Sequence, residues 1–203
     1  MAARTSFPVE LLGDLDSLAH RYNQLWLNYE RQAKSTPALR LRITAALLKE
    51  LNVGDQAIAA QLSHAFRDIR QETGTCPYPG IEALLTDLKT KYKLGLYTNG
   101  PSDMQREKMD ALGFNRFFDV ILIAGAIDIY KPDPEGFHLL LRQLDVDPKE
   151  CLFVGDTVDT DIVGAHSVGM PTCWVKHTER APLHDIEPTL TMSNTALLRE
   201  VLL

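Results

Sequence analysis

The chain has 203 residues, of which 45% are hydrophobic and 24% charged, with a formal net charge of −6. This suits one domain, or a core plus a small appendage, with enough apolar material to bury a real core. A mildly acidic chain lacks the basic surface that nucleic acid or an anionic membrane selects, although local donors can still hold a small anionic substrate. No apolar run approaches the ~20 residues that cross a bilayer, and residues 1–8 lack the apolar stretch of a secretory signal. The cysteines, Cys76, Cys151 and Cys173, are odd in number, widely spaced and form no CxxC. A disulfide framework or zinc site is not expected, and a reducing cytoplasm is the simplest location.

Residues 9–74 read as helices only. Leu11, Leu15, Leu18, Tyr22, Leu25 and Tyr29 recur at steps of three and four, one face of a helix. Ser35-Thr36-Pro37 places a cap before a proline in the first turn, predicting a second helix to about Leu51, ended by Asn52-Val53-Gly54. A third helix is expected from about Asp55, burying Ile58, Leu62, Phe66 and Ile69.

Cys76-Pro77-Tyr78-Pro79-Gly80 punctuates the chain, and the pattern then alternates between helix and strand. A helix over 81–91 leads to a buried strand over 94–97 that ends in Thr98-Asn99-Gly100. The helix over 102–112 carries Ser102 and Gln105 in capping-box spacing and stops at Gly113. A strand over 120–123, a helix opened by Asp133-Pro134, a strand over 151–154 ending in Gly155-Asp156, a helix over 161–168 and a strand over 172–175 follow. Such alternation predicts parallel strands with crossover helices, and in such sheets ligands sit at the carboxyl ends of the strands.

Three clusters fall at those ends. Thr98-Asn99-Gly100 offers a hydroxyl and backbone N–H groups suited to phosphate oxygens, although such turns commonly just cap a helix. In Lys131-Pro132-Asp133-Pro134 the prolines fix the position of an ammonium that would otherwise be read as surface charge. In Gly155-Asp156-Thr157-Val158-Asp159-Thr160-Asp161, Asp156 stands at a strand tip and Asp161 at the start of a helix. Two carboxylates on one short loop suit magnesium, a hard cation taking oxygen ligands and keeping several waters. Asp159 is better read as a helix cap.

In order and spacing, these motifs over residues 77–203 resemble the haloacid dehalogenase-like (HAD) hydrolase superfamily. Tyr78-Pro79-Gly80, and Gly164-Ala165 through Gly169-Met170-Pro171-Thr172, resemble it as well. The helical segment resembles the family's cap. Leu25-Trp26 with Tyr29-Glu30 is similar to the small phosphatases that include nucleotidases and N-acylneuraminate-9-phosphatases. The resemblance implies a Rossmann-like α/β core over 77–203, an N-terminal helical cap over 1–76, and a magnesium-dependent hydrolase of a small phosphorylated metabolite. Thr98 and Lys131 would be its catalytic residues. Thr98, Asn99, Gly100 and Lys131 would bind phosphate, and Asp156 and Asp161 would hold the metal, Asp156 most directly. No nucleic-acid or membrane partner is implied, and a homodimer is left open.

The family's chemistry starts from a DxD motif at the tip of the first strand. The first aspartate attacks phosphorus and the second works as general acid and base. Asp14-Leu15-Asp16 is the candidate here, but it lies within a helical pattern, and Val9-Glu10-Leu11-Leu12-Gly13 makes a poor buried strand. The first core strand and its nucleophile are therefore expected to be missing. That leaves a shortened chain, a gap filled by residues 1–8 or a second chain, or a degenerate phosphatase kept for binding. A haloacid dehalogenase is the further alternative, disfavoured because two carboxylates suggest a metal that branch does not need.

Overall fold

The computed structural model describes residues 14–32, 35–53, 55–177 and 186–203. The chain divides into two compact units, Met1–Gly74 and Thr75–Leu203. The first is helical: α1 (Leu15–Tyr29), α2 (Thr36–Glu50) and α3 (Gln56–Thr73). Leu25, Leu39 and Ile43 form its core, flanked by Tyr22, Trp26 and Tyr29. Ser35 precedes α2 in extended conformation with Pro37 in the first turn, and Asn52 turns the chain out at a positive φ of 59°. The buried positions of α3 are Ala59 and Ser63, whereas Phe66 is 42% exposed and Ile58 and Leu62 are only half-buried. The expected buried face is thus displaced by one residue, because α3 turns small side chains inward and leaves its larger apolar ones at the margin. Ile69 and residues 1–13 lie outside what is described.

The second unit alternates as expected. In order it comprises α4 (Ile81–Lys89), β1 (Gly95–Thr98), α5 (Ser102–Leu112), β2 (Val120–Ile123), α6 (Ala124–Ile127), α7 (Pro134–Leu144) and β3 (Phe153–Gly155). A wide π-type turn over Val158–Ile162 runs into α8 (Val163–Ser167), followed by β4 (Thr172–Val175), β5 (Leu190–Met192) and α9 (Leu198–Leu202). The sequence pattern does not announce α6 or β5. Gly113 closes α5 at φ 63°, and Asp133 caps α7 by accepting from the Glu135 amide at 2.9 Å. The expected capping box at Ser102 does not form. Pro101 takes the cap position, so Ser102 already lies in the first turn, where its hydroxyl accepts from Arg106. Gln105 reaches back instead to the Asn99 carbonyl at 2.7 Å.

All strand pairings are parallel, but they form two sheets: β1 with β2, and β3–β4–β5. Phe137, fully buried on α7, meets Tyr97 of β1 and Phe153 of β3 edge-on, with centroids 5.3 and 5.0 Å away. A second cluster joins Leu84 and Leu88 of α4 to Cys173, Val175 and Met192. Between β1 and β3 runs a cleft of about 770 Å³ lined by both strands, by Leu84 and Leu88, and by Leu140 and Leu144 of α7. Among the described residues, neither β1 nor β3 has a strand partner on the side facing this cleft.

Candidate active site

Lys131 organises the carboxyl edge of the sheets. Its ammonium is buried, 2.7 Å from Asp161 Oδ1 and 3.0 Å from the Tyr97 carbonyl. It also lies 5.6 and 5.7 Å from the ring centroids of Tyr97 and Phe153. One side chain therefore ties the end of β1 to the loop after β3, and puts the carboxyl ends of the two strands on the same edge. Asn99 fixes the backbone that carries it: Oδ1 accepts from the Lys131 amide at 2.9 Å, and Nδ2 donates to the Lys131 carbonyl at 3.1 Å.

The acidic loop has a division of labour. Asp161 is buried, and its Oδ2 accepts from the Asp156 and Thr157 amides, both at 3.1 Å, while Oδ1 takes the lysine. It shapes the loop from beneath. Asp156 is exposed at the tip, its Oδ1 accepting only a long 3.3 Å bond from the Thr157 hydroxyl. Trp174 of β4 steadies it by donating to the Asp156 carbonyl at 3.1 Å. Gly155 is required here, because a Cβ would stand 2.5 Å from Asp161 Oδ2. Gly125 has a similar duty, since a Cβ there would lie 2.7 Å from the Gly100 carbonyl in the Thr98–Gly100 turn.

Thr98 ends β1, and its hydroxyl donates within its own turn to the Asn99 carbonyl at 3.2 Å. Thr98, Asn99, Gly100, Lys131, Asp156 and Asp161 thus occupy one connected edge, but unequally. The Asn99 side chain is committed to Lys131, Lys131 to Asp161, and Asp161 to its own loop. Sequence reading missed the Gln105 bond to the Asn99 carbonyl, the Trp174 bond to the Asp156 carbonyl and the clamp made by Asn99. Only the helical register of Gln105, one turn beyond the Thr98–Gly100 loop, offered a signal. Asp159 sits half-buried within the wide turn, whose cap position belongs to Thr157.

Asp14 precedes α1. Its Oδ2 accepts from the Ser17 amide at 3.0 Å and the Ser17 hydroxyl at 2.7 Å, capping α1. Residues 9–13 and the Asp16 side chain lie outside the described residues. Among the described residues no three His, Cys, Asp or Glu side chains group as a metal cage, and no helix is long and apolar enough to cross a membrane.

The second unit is thus a parallel α/β core with a lysine-bridged acidic loop at its carboxyl edge. The family model for haloacid dehalogenase-like hydrolases matches residues 6–169, and the chain belongs to that family. It is 31% identical over 179 residues to the pyrimidine 5'-nucleotidase YjjG of Escherichia coli, covering 88% of this chain and 77% of that protein. The phosphoserine phosphatase of Thermus thermophilus is 34% identical over 190 residues, covering 88% and 72%. A crystal structure of 2-haloacid dehalogenase from Pseudomonas syringae superposes with a TM-score of 0.62 at 28% identity, covering 96% of this chain and 84% of that one.

Proposed function

We propose that this site serves a magnesium-dependent phosphatase acting on a small phosphomonoester in the cytoplasm. The observation that carries the reading is the Lys131 bridge, which gathers the Thr98 turn and the Asp156–Asp161 loop at one edge. Phosphoryl transfer depends mainly on positioning and charge neutralisation, and these residues provide for both. Thr98 and the amides of its turn would orient the phosphoryl oxygens. Lys131, preset by Asn99, would offset negative charge gathering at the edge.

The donor chemistry fits magnesium. The loop presents oxygen only, and a hydrated magnesium ion needs just one or two carboxylates. Asp156 is the exposed ligand, and Asp161 supports it through the loop amides. Bound there, the ion would polarise a phosphoryl oxygen. The phosphatase names among the relatives favour a phosphoester over a haloacid, and so does the acidic loop.

A second reading has its own observation. The Asp14 carboxylate is spent on capping α1, so the described residues supply no evident nucleophile, and the same edge would then bind phosphate and metal without turnover. The two readings separate on one set of measurements, p-nitrophenyl phosphate hydrolysis with and without magnesium alongside magnesium titration by calorimetry. The phosphatase reading expects magnesium-dependent turnover abolished by Asp156→Ala. The binding reading expects no turnover, but magnesium uptake that Asp156→Ala removes. Neither turnover nor uptake defeats both, and turnover lost with Asp14→Ala overturns the capping assignment.

A further inference from the structure

We infer that Gln105 is a positioning residue for the Thr98 turn: its side-chain amide keeps the Asn99 carbonyl bonded, so that the Thr98 hydroxyl is free to turn to a phosphoryl oxygen. The inference rests on the reading of that turn as the phosphate seat, and its test separates the two.

Three observations carry it. First, the Asn99 carbonyl accepts from two side chains, the Thr98 hydroxyl at 3.2 Å and Gln105 Nε2 at 2.7 Å. The first bond is long and stays within the turn. The second is short and arrives from α5. A threonine hydroxyl has a single hydrogen to donate, and here it is spent on a carbonyl. To donate to an anion it must first let go, and a half-buried carbonyl left bare costs at least what one hydrogen bond is worth. With Gln105 in place that cost does not arise, because the carbonyl keeps its shorter bond. Second, the peptide that follows Asn99 is held on both flanks and does not swing to another donor. Asn99 is clamped to the Lys131 backbone through Oδ1 and Nδ2 at 2.9 and 3.1 Å, and the Gly100 carbonyl accepts from the Gly125 amide at 3.1 Å.

Third, local structure aims this side chain and leaves room for it. The Gln105 amide bonds back to the Pro101 carbonyl at 3.2 Å, one turn into α5. Side chains on a helix lean toward its amino terminus, so a long one at this position reaches back over the preceding turn. Gly100, at φ 104°, lets it in, since a Cβ there would stand 3.1 Å from Gln105 Nε2. The residue type fits the task as well. A carboxylate of the same length would repel both the carbonyl and an incoming phosphate. A lysine or arginine would add a charge that competes with Thr98 for the anion. A neutral amide donates to the carbonyl and leaves the anion to the turn.

The test is a double-mutant cycle on the full chain, with inorganic phosphate titrated by calorimetry in the presence of magnesium. Gln105→Leu should weaken phosphate binding about tenfold, since releasing Thr98 then strands the Asn99 carbonyl. Thr98→Val keeps the shape and removes the hydroxyl, and should weaken binding by about tenfold or more. In the Thr98→Val protein there is no hydroxyl to release, so adding Gln105→Leu should change binding by less than about twofold. A residue that merely held the turn's shape would cost the same factor in both backgrounds. Urea unfolding checks that each variant folds, and Gln105→Met, unbranched like glutamine, must give the same pattern if the leucine variant does not fold. Equal losses in the two backgrounds, or phosphate binding unmoved by the Gln105 variants, overturn the inference while leaving the phosphate seat in place. Phosphate uptake that ignores Thr98→Val, or a wild-type chain that takes up no phosphate, overturns the reading of the seat and this inference with it.

Discussion

Replacing Lys131 by Met tests the electrostatic frame of the site. Methionine keeps much of the length and the apolar stem, and removes the ammonium that sits 2.7 Å from Asp161 and 3.0 Å from the Tyr97 carbonyl. Both side chains of the pair are about nine-tenths buried, at 11% and 7% exposure, so the pair is not a solvent-screened surface bridge. Removing one member of a buried pair typically costs about 3–5 kcal/mol, because a charge is left without its partner. Asp161 keeps two loop amides as donors, which places the expectation at the low end, about 3 kcal/mol. Urea unfolding should be followed by Trp174 in a Trp26→Phe background, since these are the two tryptophans and Trp26 belongs to the helical unit. Lys131→Met/Asp161→Asn should be more stable than the sum of the single losses predicts, with a coupling of about 2 kcal/mol. A loss below about 1 kcal/mol, or strict additivity, would refute the claim that this pair holds the edge together.

Gly155→Ala should displace Asp161 and loosen the Asp156 tip, costing roughly 1–3 kcal/mol by overpacking, with magnesium uptake falling alongside stability in calorimetry. Phe137→Ala should cost about 3–5 kcal/mol in the same urea assay, because the ring is fully buried among Tyr97 and Phe153 and leaves a cavity. The thiols should separate kinetically with Ellman's reagent at pH 8. Cys76 is exposed and should react promptly, whereas burial pushes the Cys151 and Cys173 thiols above their ordinary range. Only the thiolate reacts, so those two should be slow and should accelerate as pH rises toward 10. Equal rates for all three would contradict their burial.

Helices and strand positions were legible where one residue type repeats at a fixed period. The face of α1, the Gly113 stop and the Asp133 cap needed only local chemistry. The misreadings share a cause, which is that a stronger local or tertiary preference overrode the pattern. At α3 the largest apolar residues suggested the buried face, yet packing selected Ala59 and Ser63. At α5 the Ser102–Gln105 spacing suggested a capping box, but Pro101 moved the cap one residue earlier. β5 is three residues with one exposed threonine, too short for alternation to stand out.

The site divides along the same line. Which residues stand at strand tips could be read from motif order, because a parallel sheet sends all its carboxyl ends to one edge. What those residues bond to could not, since Lys131 and Asp161 meet across thirty positions of chain and Asn99 and Lys131 across thirty-two. Among the described residues β1 and β3 do not pair, and they are joined through Lys131, Phe137 and the flanking helices. Lys131 and Phe137 therefore act as spacers as well as site and core residues. Gly125→Ala, which would set a Cβ 2.7 Å from the Gly100 carbonyl, should weaken phosphate binding in calorimetry, and unchanged phosphate binding in that variant would argue against the Thr98–Gly100 turn as the phosphate seat.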